Sequence, residues 1–136
     1  MKKAQSRNHS VKVISLNINP AILAKRGEVW EIDLNPTVGA EMQKIRPCLV
    51  VSSDAVGNLP LKLIGPITDY KDKYATYLWH VQIDPDQKNG LTKKSSFDAL
   101  QLRGVDLTRF KRKLGLVSAE VMEEVAAAIA AVVEYQ

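Results

Sequence analysis

The chain has 136 residues, 46% of them hydrophobic, and a formal net charge of +4. That length favours a single domain, which near this size buries roughly two-thirds of the surface exposed in its unfolded form. A single cysteine, Cys48, excludes an intrachain disulfide, and no apolar stretch reaches the ~18 residues of a membrane-spanning helix.

On composition alone, residues 1–25 read as a basic extension ahead of the folded domain, 26–136. Residues 1–26 carry six basic residues and no acidic one, whereas the remaining 110 carry 13 basic and 15 acidic. The excess positive charge is therefore confined to the N-terminal segment, and the domain itself lacks the overall basic balance that would support phosphate binding. Met1–Ser10 is polar, as a disordered arm would be. Val11–Ile18 alternates apolar and polar residues like an edge strand, and Pro20 punctuates it. Asn17 and Asn19 interrupt any signal-peptide core, so a soluble protein is expected.

From Glu28 the pattern is β. Trp30, Ile32 and Leu34 alternate with Glu31 and Asp33, and Asn35-Pro36-Thr37-Val38-Gly39 ends the strand with turn residues. Pro47 belongs at the start or edge of the next strand, whose buried part is Leu49–Val51. Val56–Pro60 turns the chain and Leu61–Ile67 returns it, with a break or bulge expected at Gly65-Pro66. Tyr77, Trp79, Val81 and Ile83 share one strand face, with His80 and Gln82 on the other. Asn89-Gly90 marks a hairpin-type turn, and Ser95–Arg103 reads as one more strand. Asp106–Lys113 has the character of a short helical turn.

The end of the chain is helical. Ser118 is an N-cap, Glu120 sits in the first turn, and Val117 and Met122 have the spacing of a hydrophobic staple. Val121, Val125, Ile129 and Val132 form the apolar stripe. Short strands followed by one helix indicate an α+β domain built on a small barrel.

The most informative segment is Lys44-Ile45-Arg46-Pro47-Cys48-Leu49-Val50-Val51-Ser52, followed by Gly65-Pro66-Ile67-Thr68. It sets a permanently charged guanidinium at the mouth of an apolar strand, with a hydroxyl on the next strand able to converge on it. With the opening Arg26-Gly27-Glu28-Val29-Trp30, these motifs resemble the MazF/PemK family of toxin endoribonucleases, the RNA-cutting halves of bacterial type II toxin–antitoxin pairs. Members of that family usually begin near the Arg-Gly-Glu-Val-Trp stretch, so residues 1–25 are a departure, either a true arm or a start assigned too far upstream.

The resemblance implies an SH3-like β-barrel of the CcdB/PemK type with a C-terminal helix, usually a homodimer, that cleaves single-stranded RNA without metal or cofactor. Arg46 and Thr68 match the family's active-site arginine and threonine. Glu41 matches a family glutamate able to orient Arg46 or accept the 2′-hydroxyl proton. The Gln-x-Arg-x-x-Asp pattern is present as Gln101, Arg103 and Asp106, where Gln101 and Arg103 either shape the RNA site or hold the barrel. Tyr70, Lys71 and Lys73 are either part of an ordinary loop or candidate RNA contacts, because adjacent aromatic and basic residues stack bases and attract phosphates, and Lys44 is a further candidate in the stretch that would flank the groove. Ala40 stands where some members use a histidine, so that catalytic role does not transfer. A small antitoxin covering the groove is the implied partner, and the lone cysteine suits a reducing cytoplasm. The rival reading is a catalytically inactive barrel that binds RNA or protein. His80 reads as solvated or cross-strand-paired, Cys48 as a small buried hydrophobe, and two histidines with one cysteine make no credible zinc site.

Overall fold

The computed structural model of the chain describes residues 19–135, so the strand expected at Val11–Ile18 and the arm before it lie outside the described residues. Among these residues, seven strands, β1 (Glu28–Asp33), β2 (Ile45–Val50), β3 (Leu61–Asp69), β4 (His80–Ile83), β5 (Ser95–Asp98), β6 (Arg103–Asp106) and β7 (Phe110–Leu116), precede one helix, α1 (Ala119–Val132). Every pairing is antiparallel. The sheet runs β4-β5-β3-β2-β1-β7, and β6 joins β3 off that path.

The barrel-like sheet has a core on each face, because side chains alternate along a strand. Trp30, Ile32, Cys48, Val50, Ile64, Val105 and Phe110 pack together in one cluster. Val29, Leu49, Ile67, Val81, Ile83 and Phe97 point the other way and are covered by Met122, Val125 and Ala128 of α1. Cys48-Leu49-Val50 reads as an unbroken apolar run because both faces of β2 are buried there. Ser118 caps α1 by accepting a 3.1 Å hydrogen bond from the Val121 amide, an arrangement worth about 1 kcal/mol.

Four expectations change. First, β3 does not break at Gly65-Pro66. It changes partners there, pairing with β6 over residues 61–64 and with β5 over residues 67–69. Gly65 is needed because any Cβ would collide with the Phe97 ring. Second, Ser95–Arg103 is not one strand. Asp98 accepts from the Leu100 amide at 2.9 Å and caps a 3-10 turn, Ala99–Gln101, which separates β5 from β6. Third, the helical turn expected at Asp106–Lys113 covers only Leu107–Arg109, after which the chain forms β7. The charges of Lys111, Arg112 and Lys113 hide that strand's pattern, and its register against β1 is twice interrupted.

The fourth change is the start of the fold, expected at residue 26. Pro20–Leu23 forms a 3-10 turn whose Ala21 is 1% exposed, and Ala24, at 4%, is buried in the same core as Trp30 and Phe110. Asn19 anchors this turn, accepting from the Ala21 amide at 2.9 Å and donating to the Leu107 carbonyl at 3.0 Å. Small residues allowed the close packing, and small residues carry little hydrophobic signal in a sequence. Among the described residues, no helix is long and apolar enough to cross a membrane.

Candidate active site

The β2–β3 ladder ends at the pair Cys48–Pro66, and Arg46 and Thr68 each lie two residues beyond it on their own strands. Both line one hollow of about 220 Å³, with Pro47, Ile67 and Asp69 from the same strands. The opposite wall comes from Gly90–Lys93 and from Arg112 and Leu114 of β7. That wall is pinned to β7 by the Leu116 amide, which donates to the Lys88 carbonyl at 2.9 Å. Gly90, at φ +72°, and Gly115 are needed where the two backbones meet, since a Cβ on either would strike a carbonyl across the contact.

The electrostatics of the hollow are asymmetric. Arg112 is committed to Glu31, its Nε lying 2.8 Å from Oε1, and Lys93 to Asp69 at 3.2 Å. Among the described residues, Arg46 has no carboxylate partner. Its Nε donates to the Gln43 carbonyl at 2.9 Å, which fixes the guanidinium plane and leaves both Nη groups for a ligand. A planar cation with two free donors suits two oxygens of a phosphate. Arg112, Glu31, Lys93 and the 90–92 turn were not legible as site residues, because only the β1–β7 register and the long β4–β5 connection bring them here.

Glu41, Gln101 and Arg103 do not join Arg46 and Thr68. They line a second, larger hollow of about 520 Å³ with Leu34, Met42, Pro66 and Leu100. Their polar atoms hold the β1–β2 connection. Gln101 Oε1 accepts from the Met42 amide at 2.6 Å, and Arg103 Nη1 donates to the Leu34 carbonyl at 3.0 Å. Arg109 reinforces the same corner through the carbonyls of Asp33 and Asn35. Glu41 Oε1 accepts from the Val38 amide at 2.8 Å. Of the two readings open for Gln101 and Arg103, the geometry favours the structural one. Lys44 leaves the connection at φ +72°, a left-handed conformation uncommon outside glycine, and its amide donates to Asn35 Oδ1 at 3.0 Å.

Beyond Thr68, Tyr70 is half-buried, with Lys94 Nζ 4.3 Å from its ring centroid, while Lys71 and Lys73 are exposed around the 3-10 turn Asp72–Thr76. His80 is cross-strand-paired, as one of its two readings had it. Its Nδ1 lies 2.7 Å from Ser96 Oγ and its Nε2 3.7 Å from Asp98, with the side chain 5% exposed. Burial holds the imidazole below the ordinary histidine range, partly opposed by the Asp98 charge. At neutral pH His80 is therefore uncharged, and its approach to Asp98 is a polar contact rather than an ion pair. Cys48 is fully buried, and desolvation pushes its thiol up to about 12, which makes it an inert packing group.

Residues 25–133 match the family described as PemK-like, MazF-like toxin of type II toxin–antitoxin system. The chain belongs to this family. It is 34% identical over 106 residues to endoribonuclease EndoA of Bacillus subtilis (strain 168), covering 76% of this chain and 89% of that protein. It is 36% identical over 109 residues to endoribonuclease MazF of Staphylococcus saprophyticus, covering 79% and 88%. Solved structures agree on the fold of the PemK/MazF domain. MazF from Deinococcus radiodurans superposes with a TM-score of 0.65 at 23% identity, covering 81% of this chain and 96% of that one. A mycobacterial endoribonuclease, solved with its cognate antitoxin, gives 0.66 at 20% identity, covering 82% and 96%. The buried turn at Pro20–Leu23 precedes the segment that matches the family.

Proposed function

We propose that this toxin-family protein is a sequence-selective endoribonuclease that cuts single-stranded RNA through the substrate's own 2′-hydroxyl. One observation carries the reading. Arg46, the cation of its hollow without a carboxylate partner among the described residues, shares that hollow with Thr68. The 2′-oxygen attacks phosphorus, the bond to the 5′-oxygen breaks, and the products are a cyclic phosphate and a free 5′-hydroxyl. The 2′-proton leaves to a base and the departing 5′-oxygen takes up a proton. Arg46 opposes the charge that builds on the phosphorane oxygens, and Thr68 donates a hydrogen bond to the same phosphate.

Glu41 lies in the neighbouring hollow, so in this reading it acts by shaping the connection that carries Gln43 and hence the Arg46 guanidinium. Lys44, Tyr70, Lys71 and Lys73 flank the groove. The same reading includes a cognate antitoxin, as in the mycobacterial complex, a second copy of the chain, and a cytoplasmic location.

The test is cleavage of a mixed-sequence single-stranded RNA in excess EDTA by the wild type and by Arg46→Ala, with an all-DNA copy as control. Cleavage by the wild type alone, on RNA alone, with cyclic phosphate ends, supports the reading. Intact RNA with folded protein would overturn it in favour of a binding module.

A further inference from the structure

The chain has eight Phe, Trp and Tyr residues, and four of them, Tyr70, Tyr74, Tyr77 and Trp79, fall within ten positions. None of these four is fully buried, whereas Trp30, Phe97 and Phe110 are buried in the two cores. They form a continuous surface run of rings. Tyr70 meets Tyr74 edge-on at 6.3 Å, Tyr74 lies 5.9 Å from Tyr77, and Tyr77 stacks on Trp79 at 4.7 Å with an interplanar angle of 15°. His80 lies flat against Tyr74 at 3.8 Å and is itself held by Ser96, so the ring it supports is anchored to the sheet. The run is thus a preorganised surface rather than four loose side chains.

The run starts at the rim of the Arg46–Thr68 hollow. Asp69 and Lys93 line that hollow, and the next residues, Tyr70 and Lys94, are joined by a 3.0 Å hydrogen bond from the Tyr70 amide to the Lys94 carbonyl. Lysines accompany the rings, with Lys94 Nζ 4.3 Å from the Tyr70 centroid and Lys73 Nζ 5.9 Å from that of Tyr74. Half-buried aromatic side chains interleaved with ammonium groups are the combination that holds single-stranded nucleic acid, by stacking bases and neutralising phosphates.

We propose that Tyr70, Tyr74, Tyr77 and Trp79 form an outer binding track for the single-stranded RNA that continues beyond the cut site. It rests on the endoribonuclease reading and adds the direction in which the strand leaves the hollow. Stacking tolerates any base, so the track strengthens binding of longer RNA without choosing its sequence.

The experiment compares kcat/KM for a short RNA, just spanning a mapped cut site, with the same RNA extended by several nucleotides on each side in turn. For the wild type, extension on one side raises kcat/KM about 5- to 100-fold, mainly through KM. Tyr74→Leu and Tyr77→Leu lower that extended-to-short ratio toward one, and Lys73→Gln with Lys94→Gln flattens its salt dependence. Trp79 fluorescence in the Arg46→Ala protein changes on adding the extended RNA, and the change is absent in an added Trp79→Phe variant. Comparable short-RNA cleavage with no gain from extension on either side overturns the track while leaving the nuclease reading standing. No cleavage of any RNA overturns the nuclease reading itself. A Trp79 response to the antitoxin but none to RNA would reassign the rings to a protein partner and overturn the track.

Discussion

The two hollows beside β2 and β3 contain similar residue types but use them differently. The larger one holds Glu41, Gln101 and Arg103, each bonded to backbone of the Leu34–Lys44 stretch or its flank. The smaller one holds Arg46, tethered through Nε alone, between two cations already matched by carboxylates. Under the proposed reading, size is not what marks the site. What distinguishes a binding hollow is a charged group whose donors are oriented and still unoccupied.

The sharpest way to break that comparison is to remove one arginine from each hollow. Arg46→Ala should reduce RNA cleavage about 10²–10³-fold with the thermal midpoint nearly unchanged. Thr68→Val should cost about tenfold, the scale of one hydrogen bond to a charged group. Arg103→Ala should instead lower stability by about 1–3 kcal/mol, seen in urea unfolding, since it strips the partly buried Leu34 carbonyl of its donor. An Arg103→Ala protein of full stability that cannot cut RNA would reverse the assignment of the two sites.

Acid sharpens the contrast between structural and catalytic groups. His80 has a folded pKa below the usual 6.5, so the unfolded chain takes up the proton more readily. Its contribution to stability is complete above about pH 6.5 and falls away as pH drops through the lower folded value. Glu28 has a folded pKa below the usual 4.5: burial pushes it up, but bonds from the Trp30 indole, the Lys25 amide and Lys113 outweigh burial. Its contribution is lost lower, as pH falls below 4.5. Unfolding midpoints measured from pH 8 to 3 should therefore decline in two stages, and His80→Gln should remove the upper one. An upper stage that survives in His80→Gln would mean another group titrates there.

The smallest effect is expected at Glu41. Glu41→Gln retains an oxygen for the Val38 amide, so cleavage should fall less than about tenfold. A loss of 10²-fold or more with a changed acid limb of the pH–rate profile would make Glu41 the proton acceptor and move the reaction centre toward the larger hollow.

Much of the barrel was legible because β1, β2 and α1 carry strong local signals: period-two alternation, a fully apolar run, and a capped amphipathic stripe. That Arg46 and Thr68 share one hollow was legible through short motifs on adjacent strands. The misreadings share a physical cause. At Gly65-Pro66 local chemistry signals a break, yet pairing with β5 and β6 carries the strand through. At β7, charged residues conceal a strand whose partners are 80 or so positions away, as in the pairing of Glu31 with Arg112.

The amino-acid sequence by itself determined the strand and helix seeds, the burial of Cys48, and the arginine–threonine pair with the family it marks. Only the tertiary structure decided which cations are already neutralised, that Glu41 belongs to a different hollow, and that Pro20–Leu23 is part of the fold. Hydrophobic period and cap chemistry act between neighbours a few residues apart. The pairing of Arg112 with Glu31, or of Asn19 with Leu107, exists only after distant segments have met.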